Sequence, residues 1–193
     1  MVTPDYRSVD QIASGVDSIL KKLGVSTETV SGILADSDWA FFIKLYAMIE
    51  ASLNHLLIVR LADNRIEDVI VKMDVSEKLA FVKSLSLLPD QTRIFIKTLS
   101  EIRNRIAHGL GGLNFDFSTY VSKMEKHQRK SLLDGMRSLL PTMKVDEELR
   151  RNPRNTLFMC VCIVLFEIES NLPKREPDPS SPHDAHAESN PKE

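Results

Sequence analysis

The chain has 193 residues and a formal net charge of -2, with an isoelectric point near 6.2, which excludes a strongly basic nucleic-acid coat protein, because that class needs a large positive footprint over its binding face. Residues 173–193 hold five of the nine prolines and no aliphatic side chain larger than alanine, so about 170 residues remain for folding, enough for one sizeable core and too few for two. Seven glycines, eight phenylalanines, three tyrosines and little β-branched alternation argue against an all-β sandwich.

Residues 8–23 place Val9, Ile12, Val16, Ile19, Leu20 and Leu23 at helical spacing, and Ser8 with Gln11 has the form of a capping box. Gly24 reads as its C-terminal cap. The cap signal Asp36-Ser37-Asp38 opens a second helix to about residue 62, carrying Trp39, Phe42, Tyr46, Ile49, Leu53, Leu56 and Leu57 at three- and four-residue steps. Phe41, Ile43, Leu45 and Met48 add apolar surface on its other side, which predicts a central position in a bundle.

Asp74 and Glu77 are spaced as a capping box before a third helix over 75–88, and Pro89 reads as the first position of a fourth. That fourth helix carries Phe95, Leu99, Ile102 and Ile106 on one stripe and should end at Gly109. Residues 117–140 form one more amphipathic stretch, through Tyr120, Val121, Met124, Leu132, Leu133 and Met136, stopped by Pro141. A last, most hydrophobic helix is expected to start from a cap at Asn155 or Thr156 and to end before Pro173. The expectation is an all-α bundle of five or six helices. It divides into an N-terminal helix and connector (1–35), a helical domain (36–172) and a disordered C-terminal tail (173–193).

Cys160 and Cys162 lie two apart in an apolar run, with no disulfide framework, and read as small core residues in a reducing compartment. Two residues apart on a helix, they point about 200° from each other and cannot hold one metal ion together. The start MVTPDYRS has no basic and apolar leader pattern. The longest apolar stretch, Leu157 to Phe166, is about half of a membrane span. These features predict a cytoplasmic protein without a membrane partner, metal or cofactor. His183-Asp184-Ala185-His186 has some metal-ligand character, but organising it in a flexible tail costs entropy. Gly109, Gly111 and Gly112 follow a helix, whereas phosphate-cradling loops precede one. Between Lys123 and Arg154 nine Lys or Arg stand against five Asp or Glu, a pattern that ordinarily marks a solvated face.

The densest polar cluster is Glu101-Ile102-Arg103-Asn104-Arg105-Ile106-Ala107-His108-Gly109. At about 100° per residue, with Phe95 at zero, Leu99, Ile102 and Ile106 fall within roughly 40° of it, Arg103 near 80°, Asn104 near 180° and His108 near 220°. Ser100 and Ala107 lie between them, giving a small-residue face that another backbone could approach. Arginine offers a planar fork matched to phosphate oxygens, and histidine is the side chain whose ordinary pKa permits proton transfer near neutrality. The pair suits metal-free cleavage of a phosphodiester, yet about 140° separates them on one helix, and a second copy packed across the small-residue face could focus both on one phosphate.

These residues resemble the HEPN superfamily, whose mark is Arg, then a polar residue, then His near the end of a bundle helix; here it reads R-N-R-I-A-H, from Arg103 through Asn104 to His108. Ile49-Glu50-Ala51-Ser52-Leu53-Asn54 is similar to the acidic and small-residue pattern in the long helix of these bundles, and the layout is similar to stand-alone chains related to the mannitol operon regulator. The resemblance covers about residues 36–170. It implies a homodimer with facing motif helices and, in many members, a metal-independent endoribonuclease acting as a toxin or defence effector on RNA, sometimes with an antitoxin or regulatory protein partner. On that reading His108 moves the proton, Arg103 stabilises charge on the phosphate, Asn104 orients both, and Glu50 and Asn54 support the site. Other members are non-catalytic dimerisation or regulatory modules, so the resemblance carries both readings.

Overall fold

The computed structural model describes residues 9–62, 64–108 and 114–173. Among these residues the protein is all-α, with ten α-helices, one turn of 3-10 helix (Asn64–Ile66) and no strand. The helices are α1 (Val9–Lys22), α2 (Thr27–Ala35), α3 (Asp38–Leu61), α4 (Glu67–Lys72), α5 (Val75–Ser84), α6 (Asp90–His108), α7 (Phe117–Lys123), α8 (Lys126–Leu139), α9 (Val145–Arg151) and α10 (Pro153–Ser170). The expected count of five or six covers the long elements. The additional helices are α2, α4 and α9, which with six to nine residues are too short to establish a period, and α7, split off from the stretch expected over 117–140. The expected tail, apart from Pro173, the His183-to-His186 cluster, the Ser8 cap and the glycine loop at 109–112 all lie outside the described residues.

Local chemistry sets most helix boundaries. Gly24 sits at φ +69, in the left-handed region that glycine reaches without a steric penalty, and its amide returns to the Lys21 carbonyl. Ser37 caps α3, and Asp74 and Glu77 form the reciprocal capping box of α5 at 2.9 and 2.8 Å. Three boundaries differ from expectation. The helix expected over 75–88 ends at Ser84, where Ser86 turns to φ +52 and the Leu87 amide closes back on the Val82 carbonyl. The stretch 117–140 breaks at Met124 and Glu125, both in extended backbone, because its two halves face different neighbours. Phe117 of α7 packs on Phe42 with ring centroids 5.8 Å apart, while α8 lies along α6. The last helix starts at Pro153, with Asn152 at the cap position, three to four residues before the expected cap. Proline at the first helical position has no amide to leave unsatisfied.

The core runs through Phe41, Phe42, Ile49, Leu53, Leu56 and Leu57 of α3, Phe95 and Ile102 of α6, Leu132 and Met136 of α8, and Val164 and Leu165 of α10. Ile19, Leu20 and Ile33, from the segment expected as an N-terminal helix and connector, join the same core. The ten buried residues of α3 come in adjacent pairs one turn apart and cover about half its circumference. The helix takes the expected central position, packed against α2, α4, α5, α6 and α10, although Lys44 and Ala47 on its far side are exposed and Ile43, Ala51, Asn54 and Ile58 are half-buried. Among the described residues α3 is the one helix long and apolar enough to cross a membrane, and half of that apolar window is buried inside the protein.

Polar tethers fix helix ends. Asp38 accepts the Phe117 amide at 2.8 Å and pairs with Arg154 at 2.6 Å, joining the starts of α3, α7 and α10. Arg154 also donates to the Leu34 carbonyl and stacks its guanidinium 4.3 Å over the Phe41 ring. Glu169 of α10 receives Ser18 and Lys22 of α1, each at 2.7 Å.

The glycines offer a direct check on the packing. A Cβ at Gly135 would stand 2.8 Å from the Phe95 Cβ and 3.3 Å from its Cα, whereas one at Gly32 meets nothing within 4 Å. Gly135→Ala is expected to lower unfolding free energy by about 1–3 kcal/mol, overpacking outweighing the helix-propensity gain. Gly32→Ala is expected to raise it by up to ~1 kcal/mol, both read by urea denaturation; a stabilised Gly135→Ala protein would contradict this α6–α8 contact.

Candidate functional site

The polar cluster singled out in the sequence stands on the second half of α6. This helix begins after Pro89, whose carbonyl accepts the Arg93 amide at 3.1 Å. Phe95, Leu99, Ile102 and Ile106 are buried as one stripe, and the buried arc extends over Thr92, Ile96, Thr98 and Ser100 as well. The helix therefore serves as a core element over half its surface while its last turns carry charge.

Where α6 crosses α3 and α5, one carboxylate is shared by two cations. Glu50 Oε2 lies 3.4 Å from the Arg103 guanidinium, and Glu50 Oε1 lies 3.3 Å from the Lys78 ammonium. Lys78 has no solvent exposure at its side chain, against 30% for Glu50 and 32% for Arg103. A charge so enclosed persists only beside a partner. Arg103 also donates to Asn104 Oδ1 at 2.8 Å, and its guanidinium carbon stands 4.9 Å over the Tyr46 ring. Burial pushes the Tyr46 phenol above its ordinary pKa; the Ser100 hydroxyl next to it opposes the shift, Glu50 adds to it, and Arg103 opposes it. The triad Lys78, Glu50 and Arg103 carries one net positive charge at the edge of the core.

The structure thus brings together Arg103, Asn104 and Glu50, three of the five residues expected to form the site. The other two stand apart. His108, the last residue of α6, is exposed and its side chain makes no hydrogen bond among the described residues. Asn54 lies one turn beyond Glu50 on α3, with a buried Oδ1 that has no hydrogen-bond partner, and no bond links it to Arg103. The small-residue face between Arg103 and His108 is also narrower than expected. Ser100 is already buried by the protein's own fold, leaving Asn104, Ala107 and His108 exposed.

Lys78 and Tyr46 were not anticipated as part of this cluster, and Ser100 was expected on a face open to a second copy rather than against Tyr46. A signal existed for Lys78: it occupies the apolar stripe of α5 with Val75, Leu79 and Val82, where a lysine demands a buried counter-charge. Tyr46 stands one turn before Glu50, as apolar periodicity alone would place it.

The remaining candidates are core groups. Cys160 is buried and its thiol is pushed well above the ordinary range by burial, and burial raises the Cys162 thiol to about 11, so neither is a ready nucleophile. Burial lowers the His55 pKa, with Lys22 acting in the same direction. Among the described residues no group of three His, Cys, Asp or Glu could hold a metal ion.

Comparison with known proteins returns no match to a family model, a curated protein or a solved structure.

The shared carboxylate makes the two ends of the bridge unequal. Glu50→Ala leaves the enclosed Lys78 ammonium unpaired and is expected to cost about 3 kcal/mol. Lys78→Met replaces the enclosed charge with an apolar chain of similar volume and is expected to stay within ~1.5 kcal/mol of the parent. Chemical denaturation of both variants measures the difference; a Glu50→Ala loss below about 1 kcal/mol would mean that the buried ammonium does not depend on Glu50.

Proposed function

We propose that this chain is a HEPN-like, metal-independent endoribonuclease, working as a homodimer whose composite site uses Arg103 and His108 of both subunits. The observation that carries the reading is the clamp on Arg103. Glu50, Asn104 and the Tyr46 ring hold its guanidinium in one orientation, a third exposed, on the helix that ends in an exposed His108. A preoriented guanidinium stabilises charge developing on a phosphate with little reorganisation.

In this reaction the 2′-hydroxyl oxygen of RNA attacks the adjacent phosphorus. His108 accepts the hydroxyl proton, a new 2′-oxygen–phosphorus bond forms, and the phosphorus–5′-oxygen bond breaks. The partner subunit's His108 supplies the proton that the departing 5′-oxygen takes up. Arg103 neutralises the extra charge on the phosphorane, and the products are a 2′,3′-cyclic phosphate and a 5′-hydroxyl. Cellular roles that fit are those of a toxin or defence effector in the cytoplasm, restrained by an antitoxin or regulatory protein.

One observation favours a second reading. Arg103 already satisfies Glu50 and Asn104 within its own chain, which suits a non-catalytic dimerisation or regulatory module akin to the mannitol operon regulator.

Incubation of the purified protein with RNA in excess EDTA separates the two. The expected result is fragments ending in 2′,3′-cyclic phosphate, with the rate reduced at least about 100-fold in His108→Ala and comparably in Arg103→Ala. Cleavage that persists unchanged in both variants would overturn the site. Absence of cleavage by a folded, dimeric parent protein would select the regulatory module.

A further inference from the structure

A second basic feature lies on α8, outside the Arg103 cluster. Lys126, Arg129, Lys130 and Arg137, with Met124 and Leu133, line an open groove of about 360 Å³, and no carboxylate lines it. Two of the cations are committed: Lys130 pairs with Asp134 at 2.5 Å, and Arg137 pairs with Asp134 at 2.9 Å and Asp146 at 2.7 Å. Lys126 and Arg129 have no acidic partner among the described residues, and the Arg129 Nε is buried without a hydrogen-bond acceptor. A buried guanidinium N–H left unsatisfied is costly, so an acceptor brought by a ligand would be favoured there.

On α8 the groove residues Lys126, Lys130, Leu133 and Arg137 fall within about 60° of one another and roughly opposite Gly135, which faces Phe95 of α6, so the groove opens away from α6. From Lys126 to Arg137 the helix rises about 16 Å at 1.5 Å per residue, a length that faces several nucleotides of a strand. Met124 and Leu133 provide an apolar floor on which a sugar or base can rest. A linear row of cations over an apolar floor suits a phosphodiester strand better than the scattered carboxylates of an acidic protein.

We infer that the α8 groove binds the backbone of single-stranded RNA, with Lys126 and Arg129 as its phosphate contacts. The inference rests on the ribonuclease reading for its choice of ligand, and it adds a binding surface that the reading itself does not contain.

The test uses the full chain and a short, fluorescein-labelled 2′-O-methyl RNA, which has no 2′-hydroxyl to react, followed by fluorescence anisotropy over a salt series. The double variant Lys126→Gln/Arg129→Gln is expected to bind about tenfold or more weakly, with the slope of log K against log salt reduced by about 1.4, or about 0.7 per lost phosphate contact. Lys126→Gln alone, at an exposed position, is expected to lose about half of that slope, which keeps the test valid if the Arg129 change perturbs folding. Lys83→Gln on α5 should bind as the parent does. Unchanged affinity and slope in the double variant, or no binding by the parent, would overturn the groove, as would equal binding of polyglutamate with the same dependence on Lys126. Groove-dependent binding without cleavage of ordinary RNA would retain the groove and reject the nuclease. Cleavage that needs His108 but ignores Lys126 and Arg129 would do the reverse.

Discussion

The placement of Lys78 constrains much of this protein. Its ammonium has no exposure to solvent, so α5 can dock only where a carboxylate meets it. Glu50 is that carboxylate, and it stands at the margin between the buried and open halves of α3. Because the same group also meets Arg103, one side chain ties α5 and α6 to the central helix. The apolar contacts of the core are non-directional and would tolerate small rotations of α6 about its axis. The ion pair, the Asn104 contact and the Tyr46 ring select one rotation.

That selection is also what makes the cluster a candidate site. A guanidinium free in water would occupy many rotamers; this one is held from three directions and still reaches solvent. Its counter-charge is shared with Lys78, so the locus stays positive in a chain whose formal charge is -2. The same local logic applies on α8, where Asp134 and Asp146 occupy Lys130 and Arg137 and leave Lys126 and Arg129 as the uncompensated pair. Net charge therefore says little here about anion binding, because local clusters of cations can stand in a chain that is slightly acidic overall.

Much of the fold was legible in the chain. The apolar periods of α1, α3 and α6, the capping box at Asp74 and Glu77, and the glycine at position 24 each correspond to a strong local preference. Where the reading failed, non-local contacts decided. The stretch 117–140 has a continuous helical pattern, yet Phe42 draws α7 one way and α6 draws α8 another. The start of α10 was placed late because Pro153 and Asn152 form a cap without a side-chain hydrogen bond. In the site, Arg103, Asn104 and Glu50 were legible as types and positions, while Lys78 was passed over as one charge in an apolar stripe.

By itself the sequence determined the all-α class, the long helices and the presence of an Arg, an Asn and a His on the end of one of them. These follow from side-chain period and capping, which act within a few residues. Which partner neutralises Arg103 and whether Ser100 faces a second copy or its own core were decided only by tertiary structure, as was the pairing of Arg137 with Asp146 of α9. The physical reason is distance along the chain: Glu50 and Arg103 are 53 residues apart, and no local preference encodes a charge pair that forms only when two helices have already packed.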